Sequence, residues 1–175
     1  MPNIITPSYF DNNGELSIPN AISGNAGEGI NNKLSVIIAK YERRLLLEVL
    51  GVDQYNFLQL ELDKLPFNPQ AVTSASVEYQ RLVNGFEQWE GIRPMLGYYI
   101  YCKWMESDEI KVGTVGSGKG NKQSYTIADR SSEYSDRWND FIKTLYELEE
   151  YLKASEDLGL ADGFPFYETQ NSLGI

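Results

Sequence analysis

A glycine-rich segment near the middle of the chain comes close to the pattern of a phosphate-binding loop. It reads KVGTVGSGKGNKQS, and Gly113, Gly118 and Lys119 occupy the fixed positions of G-x-x-x-x-G-K-[ST]. Gly120 stands where the pattern requires a serine or threonine for magnesium. The residues after it open no amphipathic helix, and no alternating strands and helices surround the segment. We interpret residues 111–124 as an interaction loop and expect no cofactor or metal; a nucleotide-binding protein is the less favoured alternative.

The composition argues against most kinds of catalytic site. The chain contains no histidine, which removes the commonest general base and the commonest metal ligand. Its single cysteine, Cys102, lies in an apolar run, where a small buried hydrophobe is a better interpretation than a nucleophile. We predict a protein that is not an enzyme.

Charge and hydropathy argue against nucleic acid and membranes as binding partners. The formal net charge is −10, whereas free binding to nucleic acid or to an anionic membrane needs clustered lysine and arginine. The sequence has no run of eighteen apolar residues and no basic, apolar leader at its start. With one cysteine and no internal disulfide, we expect a folded protein made in the cytoplasm, without membrane contact.

Hydrophobic periodicity predicts a mainly α protein, a small bundle of about four to five helices. Helices are expected at about 31–51, 52–64, 73–85, 91–106 and 130–155, with Gly51 ending the first. The fourth is apolar on every side from Met95 to Met105, which is typical of a central helix. Gly97 within it would allow a close neighbour. We expect this helix to pack inside the domain or against another chain.

The remaining segments lack helical periodicity. Residues 107–129 hold two β-leaning pieces, IKVGTV and SYTIA, and predict a β-hairpin or long loop inserted in the bundle. Residues 1–29 read as an extended arm, ordered by a neighbouring subunit, and residues 159–175 as an aromatic tail. The helical domain is thus expected at 30–158.

The order of these features resembles the head–tail adaptor, or connector, proteins of tailed bacteriophages. Residues 41–59 read YERRLLLEVLGVDQYNFLQ, a helix that ends in Leu-Gly before an aromatic second helix. Residues 79–107 read YQRLVNGFEQWEGIRPMLGYYIYCKWMES, a glycine turn and a tryptophan before a tyrosine-rich helix. A glycine segment beginning TVG and a closing helix with Trp138 follow. The resemblance covers about residues 31–155.

The resemblance implies a structural role in the virion, at the head–tail interface. Such proteins form a ring, usually of twelve copies, beneath the portal protein, and offer a docking surface to a tail or stopper ring protein. DNA passes through the acidic channel without specific binding. The family has no catalytic residue to transfer to this chain.

The resemblance also implies positions for the contacts. We expect the loop lysines Lys111, Lys119 and Lys122 to lie at the channel or between rings. Contacts with partners are expected at arm, helix and tail residues, namely Tyr9, Phe10, Ile18, Ile22, Trp138, Phe164, Phe166 and Tyr167. An alternative class is a stand-alone helical regulatory module that binds one protein through an apolar seam running from Trp138 to Leu152.

Overall fold

The structure is a computed structural model that describes residues 3–11, 13–19, 21, 28–64, 77–86, 89–112, 127–155, 158 and 160–170. At 28, 63–64, 77–78, 108–112 and 127–131 it describes the backbone alone. Two short 3₁₀ turns, Pro7–Phe10 and Gly14–Leu16, precede four α-helices: α1 (Glu28–Lys64), α2 (Val77–Asn84), α3 (Ile92–Val112) and α4 (Ile127–Ala154). The prediction of a mainly helical bundle is confirmed.

α1 consists of two helical segments that meet at Gly51. The backbone there is non-helical, with φ of 75° and ψ of 170°, a conformation that glycine adopts without the clash of a Cβ atom. The predicted stop at Gly51 is therefore confirmed. The chain resumes a helix immediately afterwards, so that the two segments follow one another without a loop.

α3 is the central element of the bundle, because it contacts each of the other three helices. Its Met95, Leu96 and Ile100 are almost completely buried. Pro94 lies in the first turn, where its missing N–H has no intrahelical partner to lose. The expectation that this helix packs inside the domain is confirmed, since the core that covers it comes from this same chain.

A compact glycine turn joins α2 to α3. Gly85 and Gly91 both have positive φ, 77° and 76°. Between them Phe86 and Trp89 exchange two backbone hydrogen bonds, 2.7 and 2.8 Å long. A Cβ atom on Gly85 would overlap the carbonyl oxygen of Trp89. The turn therefore needs glycine both for its backbone angles and for its packing.

The N-terminal arm packs against its own bundle. The described part of the arm contributes six almost completely buried residues to the hydrophobic core: Ile4, Ile5, Phe10, Leu16, Ile18 and Ala21. The expectation of an extended arm without regular structure is wrong for Pro7–Phe10 and Gly14–Leu16, which form 3₁₀ turns. The sequence does not show that the arm is buried, because its apolar residues follow no helical period. Burial of six apolar side chains nevertheless offsets the entropy lost when the arm is ordered.

The β-hairpin predicted between α3 and α4 is wrong wherever the structure describes it. The first residues of the piece IKVGTV, 110–112, form the last turn of α3, and the last residues of the piece SYTIA, 127–128, begin α4. The glycine-rich tip at 113–126 lies outside the described residues. Within the described part of the chain no strand is present. None of its helices has both the length and the apolar character that crossing a bilayer requires.

Candidate partner-binding surface

The predicted contact residues of the arm are turned into the chain's own core. Phe10 is completely buried, and Ile18, 2% exposed, donates its N–H to the Phe10 carbonyl oxygen at 2.9 Å. Tyr9 is half-buried, and its ring presses on α3 at Gly97, where a Cβ atom would lie 2.6 Å from Cε1. Ile22 lies outside the described residues. In this conformation the arm presents little apolar surface to a neighbour.

A buried carboxylate on α1 holds the start of the arm. Glu42 is 2% exposed, and its two oxygens accept the backbone N–H groups of Ile4 and Ile5 at 2.8 and 3.2 Å. Burial raises the pKa of this carboxyl to about 7, although the two N–H groups act in the opposite direction. Sequence reasoning missed this residue. The available signal was a charged residue one turn after Ile38, within the apolar stripe of α1.

The apolar seam of α4 is covered by the rest of the chain. Its members from Trp138 to Leu152 are at most 8% exposed. The indole N–H of Trp138 donates to the carbonyl oxygen of Glu168 at 3.0 Å. The ring of Tyr167 meets Trp138 and Phe141 edge-on, with centroids 5.7 and 5.3 Å apart. The tail therefore occupies the place that a partner of this seam would take.

The tail is fixed at several points and leaves one aromatic ring outside. The Tyr167 hydroxyl donates to Glu48 on α1 at 2.8 Å, and burial together with that carboxylate raises the pKa of Tyr167. Phe164 is half-buried against the core. Phe166, between them, is 76% exposed. Of the predicted tail contacts, Phe166 alone is presented fully to solvent.

A second exposed apolar surface lies on α1 beyond its kink. Phe57 and Leu60, one turn apart, are 59% and 57% exposed, and Val52 is 65% exposed. We call these three residues the distal α1 surface. The sequence does not distinguish these residues, because Leu58 beside them belongs to the core and the segment has the pattern of one amphipathic helix. The only available signal was that FLQL places apolar residues on more than one face.

The predicted basic loop is described only at its edge. The backbone at Lys111 belongs to the last turn of α3, whereas Lys119 and Lys122 lie outside the described residues. The chain reaches the glycine segment from a helix that ends at Val112, whereas a phosphate-binding loop follows a buried strand.

The thiol of the single cysteine, considered above as a nucleophile, is buried. Cys102 is completely buried in α3, and burial raises the pKa of its thiol to about 12. In the portion of the chain with described coordinates, no three histidine, cysteine, aspartate or glutamate side chains are arranged to hold a metal ion.

Comparison with protein-family models gives no match, and comparisons with curated proteins and with solved structures give none either.

Proposed function

We propose that this chain is a structural subunit of a head–tail connector ring in a tailed bacteriophage, placed between the portal and the tail. Copies of the chain would extend the DNA channel and present a docking surface for the next ring. The assignment to this family is based on the sequence resemblance. It gains support from the helix order: a helix kinked at Gly51, a glycine turn, a central helix and a closing helix with Trp138.

The observation that carries the proposal is the exposed apolar surface. Two aromatic rings, Phe57 on the distal α1 surface and Phe166 on the tail, are 59% and 76% exposed. Burying such a side chain contributes about 1.5–3 kcal/mol, so leaving both in water forfeits stability unless a partner covers them. The rings are held by ordered elements, which reduces the entropy lost when a partner binds.

The buried polar groups favour binding over catalysis. Both oxygens of Glu42 are engaged by backbone N–H groups, and the Cys102 thiol is enclosed by α3 and its neighbours. Neither group offers a reactive atom to a small molecule. Their positions are explained by the fold, whereas the positions of Phe57 and Phe166 are not.

The alternative of a regulatory module is less well supported. That reading requires the α4 seam as its binding surface, and a partner would first have to displace the tail from Trp138 and Phe141. Among the described residues, the distal α1 surface is exposed without any such rearrangement.

The test is sedimentation velocity of the purified protein, alone and mixed with portal rings from the same source. We expect one large species that contains portal and many copies of this chain. Phe57→Ser/Leu60→Ser and Phe166→Ser should each weaken the complex at least about tenfold, as expected for central aromatic contacts. Tyr146→Ser removes an aromatic ring that is 45% exposed on α4, and serves as the matched control. Failure of the wild-type protein to enter any portal complex would contradict the proposal.

A further inference from the structure

The first half of α1 presents a basic face on an acidic protein. Lys40, Arg43 and Arg44 are exposed there and line a shallow groove of about 430 Å³ with Leu47 and Glu48. Arg44 is paired with Glu48 at 2.9 Å, so Lys40 and Arg43 supply the excess positive charge of the groove. Between Glu28 and Glu48 the helix has no acid except Glu42, which is buried on the opposite side. The solvent face of this segment is therefore basic, although the chain as a whole carries −10.

A cleft of opposite charge lies elsewhere on the same chain. It has a volume of about 480 Å³ and runs between the Gly14–Leu16 turn, the start of α4 and Tyr101 of α3. Among the residues that the structure describes, three carboxylates, those of Glu15, Glu133 and Asp136, line it beside one cation, Arg137. Arg137 is already paired with Glu15 at 2.6 Å, and the Tyr101 hydroxyl donates to Glu133 at 2.7 Å. The cleft keeps an excess of negative charge open to solvent.

We propose that the basic groove of α1 docks into the acidic cleft of a second copy of this chain. The inference rests on the proposed function to the extent that both require copies to associate. The occupant is inferred from charge, because each surface carries the sign that the other lacks. Val36, 67% exposed and one turn before Lys40, adds apolar area beside the groove, which favours a protein over a nucleic acid.

The two surfaces share no residue, so one copy uses both at once with two different neighbours. Such a head-to-tail contact propagates from copy to copy, and gives a ring when the rotation closes. The arm forms one wall of the cleft through Gly14, Glu15 and Ser17. The arm therefore contributes to the contact by shaping the cleft of its own chain.

The test uses two charge reversals, which are measured separately and then together. Lys40→Glu/Arg43→Glu makes the groove acidic, and Ser132→Lys/Asp136→Lys makes the cleft basic. We expect wild-type protein to associate more strongly with rising concentration at low ionic strength, and less at high ionic strength. Each variant alone should associate at least about tenfold more weakly, because like charges then face each other. An equimolar mixture should regain association, because each variant's groove then meets an opposite cleft.

Recovery in the mixture also shows that both variants are folded. Lys143→Glu and Glu147→Lys change exposed charges on α4 outside both surfaces, and should associate as the wild-type chain does. Wild-type protein that stays monomeric across concentration at low ionic strength would overturn the inference. A mixture that behaves as two unassociated variants would do the same.

Two further results separate the possible explanations. Wild-type protein that binds the portal without binding itself would overturn this inference and leave the proposed function intact. Binding of a short fluorescent DNA duplex that Lys40→Glu/Arg43→Glu abolishes would assign the basic face to nucleic acid instead.

Discussion

The side chain of Asn139 forms two hydrogen bonds with the backbone of Gln170: Nδ2 donates to the carbonyl oxygen and Oδ1 accepts the N–H, both at 2.9 Å. A carboxamide that engages both backbone groups of one residue holds that residue without contacting its side chain. With the Trp138–Glu168 bond from the preceding residue of α4, it aligns the end of the tail along α4. Phe166 is presented to solvent from a segment that is fixed on both sides.

The hydroxyl of Tyr167 gives a prediction about how firmly the tail is held. Tyr167→Phe removes the bond to Glu48 and keeps the ring packed against Trp138 and Phe141. Because the acceptor is a carboxylate, we expect the free energy of unfolding to fall by about 1–2 kcal/mol. Urea denaturation measures the change, and Tyr146→Phe, which alters an exposed ring on α4, should leave the value unchanged. Equal values for the two variants would show that the bond contributes nothing.

Glu42 makes stability depend on pH. Its pKa in the folded chain is about 7 against an ordinary 4.5, so the folded state binds the proton more tightly between those values. The free energy of unfolding should therefore fall as pH rises through this window, by roughly 3 kcal/mol at about 1.4 kcal/mol per pKa unit.

Glu42→Gln isolates this contribution, because the other titrating groups are common to both proteins. Gln loses one of the two backbone bonds, which is a constant cost. The wild-type chain should therefore hold its largest advantage over the variant at acid pH and lose it towards pH 8. A difference that stays level with pH would show that folding does not raise the pKa of Glu42.

The contact of the arm with α3 can be tested at Gly97. In Gly97→Ala the new methyl group would lie 2.6 Å from Tyr9 Cε1 and 3.2 Å from Leu16 Cδ1. Because the arm must shift to admit it, we expect a loss of about 1–3 kcal/mol. Gly29→Ala is the matched control: it also lies in a helix, and its methyl group would meet no atom within 4 Å. Thermal unfolding compares the two, and a Gly97→Ala protein as stable as Gly29→Ala would mean that the arm is not packed there.

The glycine turn before α3 gives a second matched pair. Gly85 and Gly163 have nearly the same φ, 77° and 78°, so alanine costs about 1–2 kcal/mol of backbone strain at either position. Only at Gly85 does the new Cβ atom also meet backbone, including Gly91 N at 2.7 Å. We expect Gly85→Ala to lower the melting temperature much more than Gly163→Ala. Equal decreases in melting temperature for the two variants would show that packing around Gly85 does not contribute to stability.

Sequence reasoning succeeded where one helical face alone decides the structure. The stripe of α4, the apolar central helix and the stop at Gly51 each follow from local pattern, and the structure has all three. It failed where contacts between distant parts of the chain determine the structure. The arm has no period, and its burial depends on a carboxylate, Glu42, that lies 37 residues from Ile5 along the chain. The β-leaning residues at 110–112 became helix because they continue α3.

The residues predicted to contact partners illustrate the same limit. Aromatic composition predicted contacts in the tail, but could not separate Phe166, which faces solvent, from Tyr167, which packs on Trp138. Adjacent residues of an extended segment point to opposite sides, so the distinction requires knowing which side the bundle occupies. The distal α1 surface was missed for the same reason.

The docked tail has a consequence for the order of events during synthesis. α4 leaves the ribosome before residues 160–170 do, so the rings of Trp138 and Phe141 first emerge without the cover of Tyr167. For that interval the nascent chain exposes an aromatic seam that other nascent chains or a chaperone can reach. Residues 160–170 therefore complete the cover of the core, and a chain that stopped after α4 would expose this aromatic seam to other chains.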